Sequence, residues 1–98
     1  MDTFNDIISG EVLTLVDFYA TWCDPCKTMH PILEQVKEKL GDKIRIIKID
    51  VDKHQALAQQ YGVQAVPTFM IFRKGEMLHR FSGAMPRVDL IYLLEQYL

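Results

Sequence analysis

Phe4, Ile7 and Ile8 repeat at helical spacing between Thr3, a fitting N-cap, and Gly10, a stop. A helix this short does not persist alone, so it has to dock on the rest of the fold. From Leu13 to Ala20 the period drops to two. Leu13, Leu15 and Tyr19 fall on one face, and Val16, Phe18 and Ala20 on the other. Apolar side chains on both faces mark a central strand with a packed layer on each side. Between Cys23 and Leu40 the helical period returns with Met29, Ile32, Leu33, Val36 and Leu40, and Cys26 shares their face. Gly41 stands where a left-handed residue ends such a helix, and Pro31 inside it predicts a kink.

Ile44 to Ile49 reads as a second apolar strand, made parallel to the first by its helical crossover. Gln55 to Tyr61 is a short helix closed by Gly62. Thr68 to Phe72 and Met77 to Ser82 are strands joined at Lys74-Gly75, a hairpin signal. Arg87 to Tyr97 closes the chain as a helix with Val88, Ile91, Leu94 and Leu98 along one side. The order α-β-α-β-α-β-β-α predicts one α/β domain over residues 1–98, a mixed four-stranded sheet covered by helices on both faces.

Composition narrows what such a domain does. The net charge is −2 over 98 residues, and the charges alternate in sign. No basic stripe exists to displace counterions, so no nucleic-acid partner is expected. No apolar run reaches the roughly 20 residues that span a bilayer, so no membrane segment is expected. Residues Met1 to Asp6 are acidic, where a secretory signal shows basic residues before about 7–15 apolar ones. The expected location is cytoplasmic.

Both cysteines of the chain lie in Trp22-Cys23-Asp24-Pro25-Cys26, at the junction of strand and helix. That spacing brings two thiols close enough for a small disulfide ring. The first sulfur stands at a helix N-terminus, where free N–H groups and the macrodipole favour a thiolate. Cys23 is expected to be the more exposed thiol and Cys26 the more buried. So short a loop removes little chain entropy, which argues against a mere structural staple. A closed zinc site needs four ligands, and the remaining candidates His30, His54 and His79 have unrelated spacings. No metal is expected.

The segment Val16-Asp17-Phe18-Tyr19-Ala20-Thr21-Trp22-Cys23-Asp24-Pro25-Cys26-Lys27 resembles the active-site segment of the thioredoxin family. Lys48-Ile49-Asp50-Val51-Asp52, Tyr61-Gly62-Val63, Val66-Pro67-Thr68 and Phe81-Ser82-Gly83-Ala84 resemble further landmarks of that family, in the right order. The resemblance implies a thioredoxin-like fold and protein-disulfide reduction by dithiol–disulfide exchange. It further implies that no cofactor is bound, that electrons come from NADPH through a flavin-dependent thioredoxin reductase, and that the partners are disulfide-bearing client proteins. Two departures stand out: Asp24 replaces the family's usual Gly, and only Met1 and Asp2 precede the first helix, where the family has an extra strand.

On this reading Cys23 is the nucleophile and Cys26 the resolving thiol. Asp17, a carboxylate in a strand apolar on both faces, should have its pKa raised by desolvation and take the proton of Cys26 through water. Lys48, on the adjacent parallel strand, is its expected partner. The resemblance implies a cis Pro67 facing the dithiol, with the Val66 backbone pairing an extended substrate. Trp22, Pro25, Val51, Ala65, Gly83 and Ala84 complete the expected substrate surface. Asp24 should repel the Cys23 thiolate, raising its pKa by about half a unit. His30, four residues after Cys26, reads mainly as structural. A monomer is expected, with the strand at Ile44 to Ile49 forming an edge.

Two other functions fit parts of the sequence. A disulfide oxidase or isomerase would share the fold, but the relatives of that kind usually carry a residue such as His in the turn. A non-catalytic docking adaptor would have little need of Asp17 behind the dithiol.

Overall fold

The computed structural model describes residues 3–98. Helix α1 (Phe4–Ile8) is held at its start by a capping box: Thr3 Oγ1 accepts the Asp6 N–H, and Asp6 Oδ2 accepts the Thr3 N–H, each at 3.2 Å. With five residues it depends on docking, and Phe4 supplies it, its ring meeting Tyr61 at 5.4 Å and Phe72 at 6.0 Å, both edge-on.

Strand β1 (Leu13–Tyr19) follows, then helix α2 (Asp24–Leu40), strand β2 (Ile44–Asp50) and helix α3 (Gln55–Gln60). The hairpin β3 (Thr68–Arg73) and β4 (Glu76–Ser82) precedes helix α4 (Arg87–Glu95). The sheet order is β2-β1-β3-β4, with β1 and β2 parallel and the other pairs antiparallel. This is the mixed four-stranded arrangement that the hydrophobic pattern predicted. At the hairpin, Lys74 and Gly75 have φ of 53° and 80°, the two positive values that a type I′ turn requires.

Strand β1 is buried on both faces. Leu13 and Leu15 join Met29, Leu33, Val36 and Leu40 of α2, Phe69 and Ile71 of β3, and Leu90 and Leu94 of α4. Val16 and Phe18 face Ile8, Ala58, Met70 and Phe72. Phe18 is completely enclosed, so Phe18→Ala should destabilise the fold by about 3–5 kcal/mol through lost burial and a cavity. Helix α2 runs unbroken through Pro31. It stops at Gly41, whose φ of 55° suits glycine, and the Lys37 ammonium donates to the carbonyls of Gly41 and Ile44 at 2.9 and 2.8 Å.

One expectation of orientation fails. The buried side of α4 is Leu90 and Leu94, whereas Val88 is 70% and Leu98 49% exposed. Apolar residues lie all round this helix, so its spacing alone does not say which stripe faces inward. The expected absence of the family's first strand turns on Met1 and Asp2, which lie outside the described residues. Among the described residues β2 is an edge of the sheet.

Candidate active site

Cys23 is the N-cap of α2, in extended conformation (φ −92°, ψ 115°), and Asp24 and Pro25 begin the helix. Proline fits the first turn because its missing N–H has no intrahelical role there. The Cys23 Sγ accepts the backbone N–H of Cys26 at 3.2 Å. An acceptor in that position, at the positive end of a helix of 17 residues, is stabilised further when it carries negative charge. Cys23 and Cys26 are joined by a disulfide, with their Cα atoms 5.2 Å apart.

Cys23 is more enclosed than the sequence implied, and Cys26 is buried as expected. Cys23 is only 4% exposed and Cys26 0%, so the order of accessibility holds but Cys23 offers a narrow window. The enclosure is tertiary: Ala20, Tyr19, Val51 and Val66 pack on the pair, and the Val66 carbonyl lies 3.6 Å from Cys23 Sγ. The Val66–Pro67 peptide bond is cis, and Pro67 is buried beside the pair of β3 residues that follow.

A groove of about 350 Å³ is lined by Trp22, Val51, Val63, Gln64, Ala65 and Val66, of which Val51 and Val66 also pack on the disulfide. Four of the expected surface residues therefore converge. Val63 and Gln64 were missed, since nothing in their spacing marks them. Trp22 is 68% exposed, and its indole N–H donates to Asp52 Oδ2 at 2.9 Å. Gly83 donates its N–H to the Pro67 carbonyl at 2.9 Å, and neither it nor Ala84 lines the groove. Pro25 is exposed on the helix start, also outside the groove lining.

Asp17 is fully buried on β1, on the face shared with Leu13 and Leu15. Neither carboxylate oxygen finds a hydrogen-bond partner among the described residues. Burial pushes its pKa up to about 7, and the Lys48 charge opposes that rise. Lys48 stands opposite Asp17 in the parallel register, as expected, but it makes no ion pair with it. Among the described residues the one ion pair is between Lys27 and Asp24, at 3.7 Å. The exposed Lys48 side chain instead lines a cleft of about 310 Å³ with Leu33, Glu34, Lys37 and Ile46, and acts on Asp17 through its field alone.

His30 sits one helical turn after Cys26 and packs edge-on against the Tyr19 ring at 5.4 Å. Its pKa is lowered, first by burial and then by Lys48, with Glu34 opposing. The Asp24 side chain is 93% exposed and faces Lys27 on the outside of the helix.

A buried disulfide whose first sulfur caps a helix, with the cis-proline loop packed against it, defines a redox-active disulfide site. A family model described as Thioredoxin matches residues 1–96. A chloroplastic thioredoxin Y of Oryza sativa subsp. japonica is 50% identical over 97 residues, covering 98% of this chain and 58% of that protein. A thioredoxin-like protein of Synechocystis is 48% identical over 95 residues, covering 96% and 90%. The solved structure of Plasmodium falciparum thioredoxin superposes with a TM-score of 0.86 at 34% identity, covering 97% of this chain and 91% of that one. The chain belongs to the thioredoxin family, whose members are thiol–disulfide oxidoreductases. It spans a little over half the length of the rice relative.

Proposed function

We propose that this protein reduces disulfides in client proteins by dithiol–disulfide exchange. The observation that carries the reading is Cys23 Sγ capping α2 and accepting the Cys26 N–H, with Val66, which lines the groove, packed beside it. In the reduced protein the Cys23 thiolate attacks one sulfur of the client disulfide. A mixed disulfide forms, and the client's other sulfur leaves as a thiolate. Asp17 then takes the proton of Cys26, and the Cys26 thiolate attacks Cys23 Sγ. The intramolecular disulfide closes, the second client thiolate departs, and the client has gained two electrons and takes up two protons.

Support for the base comes from the pKa of about 7 at Asp17, which leaves the group able to accept and give a proton near neutrality. The Val66 backbone beside Cys23 is the proposed docking edge for an extended client segment. Reduction of the Cys23–Cys26 disulfide back to the dithiol is assigned to a flavin- and NADPH-dependent reductase. The working form is assigned as a monomer, in a reducing compartment with the cytoplasm first. The rice relative's chloroplastic name makes the plastid the rival, which cell fractionation decides.

Insulin reduction with dithiothreitol tests the activity: the wild-type chain should accelerate precipitation and Cys23→Ser should not. Equal behaviour of the two would sink the reductase reading and leave an adaptor. A glutathione redox titration separates reductase from oxidase, and analytical ultracentrifugation should show a monomer with weak self-association only at high concentration.

A further inference from the structure

Met29 is fully buried on α2, three residues after Cys26, yet its sulfur is not only a filler of the core. Its Sδ lies 3.3 Å from the backbone nitrogen of Met85 and accepts that N–H. Met85 belongs to the segment between β4 and α4 that carries Gly83 and Ala84 past the cis-proline. The start of that segment is also tied down. Gly83 donates to the Pro67 carbonyl at 2.9 Å, Ser82 Oγ shares a 2.9 Å hydrogen bond with Thr68 Oγ1, and Thr68 Oγ1 donates to the Ala65 carbonyl at 2.6 Å. These bonds link the 83–85 segment to the cis-proline loop on one side. The Met29 sulfur links it to the helix that carries Cys26 on the other.

We propose that Met29 is a positioning residue for client binding: its thioether fixes the Met85 amide and thereby sets the 83–85 segment against Pro67. A half-buried backbone N–H needs an acceptor, and thioether sulfur is a weak but adequate one. Leucine or isoleucine matches the apolar volume and offers no lone pair. The unbranched methionine chain also adapts to the gap between helix and segment. This inference rests on the reductase reading for its functional consequence, but the structural link stands apart from it.

Hydrogen exchange of the Met85 amide in the whole chain, by nitrogen-15 NMR, reads the link directly. In the wild type the Met85 amide should be protected, and in Met29→Leu it should exchange about 5–10-fold faster than in the wild type. KM for insulin should rise about two- to fivefold with kcat held, as loss of one weak hydrogen bond implies. The rate with dithiobis-nitrobenzoate, a disulfide too small to use the segment, should stay unchanged. A Met85 amide that exchanges freely in the wild type overturns the proposal. So does equal slowing of both disulfides, which is what general destabilisation of the core gives. Met29→Ile is the second variant if leucine does not fold, and the wild-type exchange measurement needs no variant. A wild type inert toward both disulfides would remove the reductase reading and leave the amide result to decide the link.

Discussion

The Cys23–Cys26 disulfide is preceded in the chain by a buried, inward-facing aspartate and contains an exposed, outward-facing one, and the fold treats the two in opposite ways. Asp17 lies in the central strand with no exposed surface and no hydrogen-bond partner among the described residues. Asp24 begins α2 with its side chain 93% exposed and Lys27 at 3.7 Å. In sequence Asp24 touches the dithiol and Asp17 is six residues before it. Coulomb energies scale inversely with dielectric, so at equal distance a charge on the buried carboxylate acts more strongly than one on the exposed carboxylate, which water and salt screen.

The largest expected effect breaks the comparison at the sulfurs themselves. Cys26→Ser should accumulate mixed disulfides with clients, and Cys23→Ser should accumulate none, as non-reducing gels read. Equal trapping by both would show that the 4% window at Cys23 does not choose the nucleophile.

Asp17→Asn comes next. A thiol of pKa about 8.5 is about 3% thiolate at pH 7, so without the base turnover should fall by up to about 30-fold there and recover toward pH 9. Stability should move the other way. The folded pKa of about 7 lies above the ordinary 3.8, so the folded chain binds the extra proton between these values. Wild-type stability from this group is therefore full below about pH 4 and is lost as pH rises through 7. The variant should gain on the wild type over that window by roughly 4 kcal/mol. Denaturant melts at pH 4, 5.5 and 7.5 measure it, and a pH-independent difference would show that Asp17 does not titrate in this range.

His30 sharpens the inward side. Its imidazole should titrate below the free value of 6.5, because burial and Lys48 both disfavour its charge. The neutral form is the one the fold favours, so its contribution is present above pH 6.5 and fades on acidification. A proton NMR titration that finds a midpoint above 6.5 would mean that Glu34 outweighs them.

The smallest effect belongs to Asp24. Asp24→Gly should lower the Cys23 pKa and make the potential less negative by at most ~15 mV, and less once Lys27 shares the field. A thiolate-absorbance titration with a glutathione redox titration checks both signs. A Cys23 pKa that rises instead would mean that the side chain orders the turn.

Much of this was legible beforehand because it rests on local rules. The apolar periods placed every strand and helix to within a few residues, since a central strand must be apolar on both faces and a surface helix on one. The same rules fail where they have no contrast: α4 is apolar all round, and only packing against α2 chose Leu90 and Leu94 over Val88 and Leu98. Lys48 was placed correctly in register, because parallel pairing follows from the crossover. Its lack of an ion pair with Asp17 was not foreseeable, because side-chain reach depends on the cleft along β2.

The sequence by itself determined the order of elements, the two thiols at a helix start and the lone carboxylate in an apolar strand. Each depends on neighbours within a turn or a strand. Tertiary structure alone decided how closed the disulfide is, because Val66 reaches Cys23 across 43 residues. It alone joined Trp22 to Asp52 across 30 and Met29 to Met85 across 56. Those separations have no periodic signature, and the contacts exist only once the sheet has brought the loops at one end of its strands together.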